Sequence, residues 1–220
     1  MNRHLIITED GSHSLFVPEL DEQYHSIHGA IQESNHVFID SGLKHCSKNN
    51  LVVFEVGFGT GLNAFLTLLT ADELKMKVTY LGIEKYPLLP IEYNSLNYAS
   101  LINSNFNDSF QLLHNCKWGE LTEINPFFSI QKINSDFRYE HIDTLPFFDV
   151  IYFDAFAPNK QPDLWSEPIY RKIYDHSTPG AILVTYCAKG IVRRDLQQVG
   201  FNVERIAGPP GKKEMIRAIK

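Results

Sequence analysis

The sequence predicts an α/β protein of Rossmann-like type: a mostly parallel sheet covered by helices and closed by a C-terminal antiparallel hairpin. Three observations predict it. From residue 51 onward, short apolar runs alternate with helical segments, the order that builds a parallel sheet buried on both faces. The run Leu51-Val52-Val53-Phe54 ends in Glu55 and then in glycines at 57, 59 and 61. That reads as a strand feeding a tight turn that opens a helix. Near the end of the chain, two extended runs flank Gly208-Pro209-Pro210-Gly211, and an antiparallel pair on a parallel sheet is common.

Taken in order, residues 1–50 are polar and turn-rich, with extended candidates at 4–8 and 36–39. They read as an N-terminal segment on the substrate side of a single domain, whose main body is 51–220. Strands are expected over 51–56, 78–84, 127–133, 149–154 and 181–187. Helices are expected over 62–69, 89–98, 108–115, 167–175 and 191–199, and the hairpin over 201–206 and 214–219. No internal repeat, low-complexity tract or linker interrupts this order.

At 220 residues, 44% apolar and 21% charged, the composition is that of an ordinary globular domain. No apolar run approaches the ~20 residues a membrane helix needs, and no signal-peptide pattern starts the chain. Cys46, Cys116 and Cys187 are odd in number and far apart. Neither a zinc site nor a disulfide framework is therefore expected, and a reducing cytoplasm is. His25 and His28 lack an HExxH context, so no metal is expected. The net charge of −6 argues against nucleic acid, yet residues 189–220 carry eight Lys and Arg against three acids. Such a basic end reads either as a phosphate-binding patch or as solvated surface charge.

The glycine turn is the strongest local signal. Its spacing, E-x-G-x-G-x-G, is not the dinucleotide G-x-G-x-x-G, and Glu55 would repel a pyrophosphate. An acid beside glycines at a helix N-terminus suits an amino-bearing ligand, and S-adenosylmethionine, with its ammonium, carboxylate and sulfonium, fits. A glycine turn in any α/β protein is the plain alternative.

Other strand ends carry further candidates, because ligands of open parallel sheets sit beyond the carboxyl ends of the strands. Glu84 can accept hydrogen bonds from both ribose hydroxyls of an adenosine, or can be a surface acid paired with Lys85. Asp136 can meet an adenine amino group or be a loop acid. Asp154 ends the run Asp149–Phe153 and faces the same crevice as the glycines. It can orient an amine and take its proton, bind the methionine ammonium, or cap a turn. Phe156, Pro158, Lys160 and Trp165 follow it, and such aromatics can stack a splayed RNA base, although packing alone accounts for Trp165. The segment Thr185-Tyr186-Cys187-Ala188-Lys189-Gly190 is placed to line the substrate side.

Three of these segments together resemble a known family. They are residues 54–63, Asp154-Ala155-Phe156-Ala157-Pro158-Asn159-Lys160-Gln161-Pro162-Asp163-Leu164-Trp165, and residues 192–196 with 208–215. The family is the methyltransferase domain of the bifunctional tRNA 5-methylaminomethyl-2-thiouridine biosynthesis proteins, MnmC, in a stand-alone form. The resemblance implies a class I S-adenosylmethionine-dependent methyltransferase fold. It implies methylation of the exocyclic amine of 5-aminomethyluridine at the tRNA wobble position, with no flavin. It further implies that Glu55, Gly57, Gly59, Thr60, Gly61 and Asn63 hold the methionine part. Glu84, with Lys85 and Asp136 nearby, would hold the nucleoside, and Asp154 would be the catalytic carboxylate. Lys189, Arg193, Arg194, Lys212, Lys213 and Arg217 would hold tRNA phosphates, which position rather than specify. A same-fold transferase acting on a small amine, such as an aminopropyltransferase, and a non-catalytic RNA-binding module are the alternatives.

Overall fold

The computed structural model describes residues 1–220. Three short strands, β1 (His4–Ile7), β2 (His13–Val17) and β3 (Glu22–Gln23), form a small antiparallel sheet of their own. Helix α1 (Ala30–Ser34) runs into a π-helical stretch, Asn35–Asp40. Then come β4 (Asn50–Val56), α2 (Leu62–Leu74), β5 (Lys77–Glu84), α3 (Pro90–Tyr93), α4 (Tyr98–Ile102) and α5 (Asn107–Asn115). The chain continues through β6 (Leu121–Asn125), β7 (Phe128–Asn134), β8 (Phe148–Phe153), α6 (Glu167–Asp175) and β9 (Ser177–Thr185). It ends with α7 (Gly190–Val199), β10 (Asn202–Ala207) and β11 (Glu214–Ile219).

Eight strands make the main sheet in the order β10-β11-β9-β8-β4-β5-β7-β6. Strands β4, β5, β7, β8 and β9 are parallel, while β6 and the β10–β11 hairpin are antiparallel at the two edges. From β4 the chain steps outward to β5 and β7, then returns to the other flank of β4 as β8. Connections diverge between β4 and β8, which opens a crevice at their carboxyl ends.

Period-two alternation fixes which side chains enter which face. Leu51 and Val53 of β4 join one core cluster with α2, while Phe54 and Val56 join the other with α6 and α7. On the second face the Phe54 and Phe148 rings stack at 4.2 Å between centroids. No helix is long and apolar enough to cross a membrane.

Two expectations need correction. The extended stretch expected at 36–39 is π-helix, with Val37, Phe38 and Ile39 all buried. It packs on α2 and β9, and three consecutive inward side chains are incompatible with a strand that buries every second one. The helix expected at 89–98 is broken into α3 and α4. The break contains Asn97, whose side chain accepts from His13 N at 2.8 Å and donates to Gly11 O at 3.0 Å, tying down the N-terminal hairpin. Strand β6 is an addition: a short edge strand of mixed polarity carries little periodic signal.

Candidate active site

A cavity of about 620 Å³ lies beyond the carboxyl ends of β4, β5 and β8. Its floor is the turn after β4. Its walls come from Glu84, the loop at 135–138 and the loop after β8, and its roof from residues 20–33 and Lys212.

The glycines of the floor have different tasks. At Gly57, φ is +94° and a Cβ would stand 2.5 Å from the Asp154 carbonyl oxygen, so glycine alone lets the ends of β4 and β8 approach this closely. Gly59, at φ +50°, lies under the Tyr24 ring, 3.0 Å from where its Cβ would be. Gly61 faces His114 and the Phe58 ring rather than the cavity, and serves as the left-handed N-cap of α2. Thr60 lines the cavity, with its hydroxyl 3.4 Å from His25 Nε2.

Glu55 does not line the cavity. It shares the face of β4 that α2 covers and is 0% exposed. Burial, and then the neighbouring Asp154, hold its carboxyl well above the usual carboxylate range. Its contact with the cavity runs through Asn63, whose Nδ2 donates both to Glu55 Oε1 at 2.9 Å and to Asp154 Oδ2 at 2.8 Å. The other end of that amide, Asn63 Oδ1, is buried without a partner.

Asp154 sits at the junction of floor and roof. Burial and the charge of Glu33 raise its pKa to about 7, against the lowering effects of the Asn63 hydrogen bond and Lys212. At neutral pH the group is therefore balanced between carboxylate and acid.

On the wall, Glu84 accepts backbone N–H groups from Gly59 at 3.0 Å and Tyr86 at 2.7 Å. Lys85 pairs with Asp136 at 3.1 Å rather than with Glu84. Asp136 is further gripped by Arg138 at 2.7 Å, whose hydrogen bonds hold it well below the usual carboxylate range. All three line the cavity, with the Asp136 carboxylate engaged by two cations.

The loop after β8 divides. Phe156 and Lys160 line the cavity, and Tyr24 meets Phe156 edge-on at 5.1 Å. Pro158 and Trp165 do not line it. Trp165 is 5% exposed, packs on Phe153 at 4.8 Å and donates its Nε1–H to Phe156 O at 2.7 Å, holding the loop from beneath.

The expected basic patch also divides. Lys212 lies inside the cavity, paired with Glu33 at 2.5 Å. Arg217 is not a free cation, because the β10–β11 register sets it opposite Glu204, and their side chains meet at 2.8 Å. Lys189, Arg193 and Arg194 lie outside the cavity at the start of α7, with Lys189 donating to Asn159 Oδ1 at 3.3 Å, and Lys213 is exposed.

Among the residues that escaped sequence reasoning, Tyr24 and Glu33 line the cavity and Arg3 lies behind it. Arg3 donates to the Tyr24 hydroxyl at 2.8 Å, to Glu92 at 3.0 Å and to the Tyr86 carbonyl, fastening the N-terminal segment to the wall. No spacing marks them, because each reaches the site from a distant part of the chain.

Residues 132–220 match a family model described as S-adenosyl-L-methionine-dependent methyltransferase. The chain is 30% identical, over 94% of its length, to the tRNA 5-methylaminomethyl-2-thiouridine biosynthesis bifunctional protein MnmC of Marinomonas sp. (strain MWYL1), and spans 32% of that protein. The protein of that name from Burkholderia multivorans is 29% identical over 96% of the chain, which spans 34% of it. The chain thus covers about a third of the length of the curated relatives it matches. Among solved structures, MnmC2 of Aquifex aeolicus superposes with a TM-score of 0.80 at 25% identity, covering 99% of this chain and 70% of that one. Spermidine synthase of Thermotoga maritima shares the fold, with a TM-score of 0.58 at 14% identity, covering 100% and 72%. The chain has the class I S-adenosylmethionine-dependent methyltransferase fold and resembles the methyltransferase part of the MnmC proteins along nearly its whole length.

Proposed function

We propose that this chain moves a methyl group from S-adenosylmethionine to the exocyclic amine of 5-aminomethyl-(2-thio)uridine at the wobble position of tRNA. The observation that carries the reading is the placement of Asp154. A half-buried carboxyl, its pKa pushed up to about 7, stands over a glycine turn, inside a cavity walled by Phe156 and Tyr24.

The residues fit the cofactor. Gly57 and Gly59 admit a ligand to the backbone, and the unpartnered Asn63 Oδ1 offers an acceptor suited to an ammonium. Glu84, at the end of β5, offers the carboxylate that a ribose takes. Glu55 acts from behind Asn63 rather than by contact, and Thr60 joins the turn to His25. When bound, S-adenosylmethionine supplies an electrophilic methyl on a sulfonium.

The chain's own residues do the rest. An alkylamine with a pKa of about 10 arrives as an ammonium and attacks only after losing a proton. Asp154, ionised, attracts the ammonium and accepts its proton as the nitrogen lone pair is freed. Phe156 and Tyr24 hold the base and fix the nitrogen's line of approach, which is where most of the rate arises. Asn63 keeps the carboxylate of Asp154 aimed. Lys160, with Lys189, Arg193, Arg194 and Lys213 outside, meets tRNA phosphates.

A small-amine transferase is the second reading, favoured by one observation. Six acids line the cavity (Glu22, Glu33, Glu84, Asp136, Asp154 and Asp163), a lining that suits a polyamine. One experiment separates the two. Labelled S-adenosylmethionine is offered with bulk tRNA from cells lacking this protein, and labelled S-adenosylmethionine or its decarboxylated form separately with free polyamines, followed by nucleoside and amine analysis. Label on the wobble aminomethyluridine is expected; label on a polyamine, or on another base, overturns the reading.

A further inference from the structure

The roof of the cavity is held by a clasp between the two ends of the chain. Lys212 Nζ meets Glu33 Oε1 at 2.5 Å and lies 4.0 Å from the centre of the Tyr186 ring. Tyr186 in turn donates its hydroxyl to Ala155 O at 2.8 Å, next to Asp154. The other oxygen of Glu33 accepts the Ser26 N–H at 2.7 Å, in the segment that carries Tyr24. Beside the clasp, His36 Nε2 lies 2.8 Å from Ala207 O, a second tie between the N-terminal segment and the hairpin. The Lys212 ammonium is held by a carboxylate on one side and a ring face on the other, so its charge is met within the site. Its neighbour Lys213 is exposed.

We infer that Lys212 is a positioning residue of this site and not a phosphate contact: clasped to Glu33 over Tyr186, it locks the N-terminal segment and the hairpin turn around Asp154 and sets the charge that Asp154 faces. The inference rests on reading Asp154 as the acceptor-site carboxylate. The charged and titratable groups facing Asp154 are Glu55 of β4, Tyr80 of β5, Glu33 of α1, Tyr186 after β9 and Lys212. Of the clasp partners, Glu33 favours the protonated form of Asp154 and Lys212 the ionised form. Removing either one shifts the balance in opposite directions.

The test measures kcat against pH, and KM for tRNA at low and high salt, on the full chain carrying Lys212→Met, Lys212→Arg or Glu33→Gln. Lys212→Met should move the acid limb of kcat up by about one pH unit, with a roughly tenfold loss on that limb. Its salt dependence of KM should match the wild type, and Lys212→Arg should recover most of the loss. Glu33→Gln should move the limb down. Cofactor calorimetry and thermal unfolding identify variants that merely fail to fold. A limb unmoved in Lys212→Met, together with a raised KM and a shallower salt slope, overturns the inference in favour of a phosphate contact. Limbs that move the same way in both single variants overturn it in favour of a packing role. Asp154→Asn separates the two layers: wild-type turnover there means the acceptor-site reading itself has failed.

Discussion

Across the cavity, residues 57–63 face Tyr24, Glu33 and Lys212, and the two sides differ in what holds them. The floor is backbone, shaped by Gly57 and Gly59 and backed by the paired strands β4 and β8. The roof is side chain, an assembly of Arg3–Tyr24, Arg3–Glu92 and Glu33–Lys212 contacts between segments far apart in sequence. Backbone held in a sheet does not adjust, which suits a ligand of fixed shape. Segments joined by a few side-chain contacts open locally at lower free energy than sheet strands, which suits the entry of a macromolecule. Asp154 stands where the two meet.

The largest expected effect comes from breaking that junction. Asp154→Asn should lower turnover by about 10²–10⁴-fold while leaving cofactor affinity nearly unchanged, read by single-turnover kinetics and calorimetry. The same change should stabilise the fold at high pH. Folding raises this pKa from 3.8 to about 7, so between those values the folded chain holds a proton that the unfolded chain has released. Stability contributed by that proton is therefore lost as pH rises through the window. Above pH 7, Asp154→Asn should be more stable by about 2–4 kcal/mol, with the gain vanishing near pH 3, measured by urea unfolding. An enzyme that loses activity and gains stability together would mark Asp154 as a functional strain rather than a structural support.

Next in size is the floor. Gly57→Ala forces a Cβ against the Asp154 carbonyl at a positive φ. It should cost about 2–4 kcal/mol and weaken cofactor binding, detected by denaturation and calorimetry. The roof should respond differently. Arg3→Ala removes the partner of a part-buried Glu92 and frees Tyr24. A loss of about 1–3 kcal/mol is expected, confined to residues 1–28 in hydrogen exchange, with KM for tRNA raised and cofactor affinity kept. If Arg3→Ala weakened the cofactor as much as Gly57→Ala does, the two sides would not be separable. The smallest effects lie outside the cavity. Lys213→Ala should reduce the salt slope of tRNA binding by about one, whereas Arg217→Ala, already neutralised by Glu204, should leave that slope unchanged.

The same division explains what the sequence discloses. The turn from Phe54 to Asn63 is legible because strand, glycines and helix start lie within ten consecutive residues. Asp154 is legible for the same reason. The burial of Glu55 follows from counting in twos from Leu51 and Val53, but only once α2 is known to cover that face. Arg217 looks free until the hairpin register sets Glu204 across from it. Lys212 reads as one more basic residue at a basic end, since its partner Glu33 is 179 positions away. Tyr24 and Arg3 carry no local pattern at all. Trp165 carried two readings, and the buried ring beneath Phe156 decides for packing.

The clasp between Glu33 and Lys212 also has a kinetic meaning. Its partners are separated by 179 residues, so it cannot close until that whole stretch has been made. At about 5–20 residues per second, Glu33 waits on the order of ten to forty seconds for Lys212 to be synthesised. Closing so long a loop is slow and stabilises little until the sheet beneath it exists. The parallel strands, the glycine turn and the Arg3 contacts of the roof use residues made before Lys212, and only the clasp waits for it. A nascent chain should therefore gain the floor first, and the closed chamber only after Lys212 has been made.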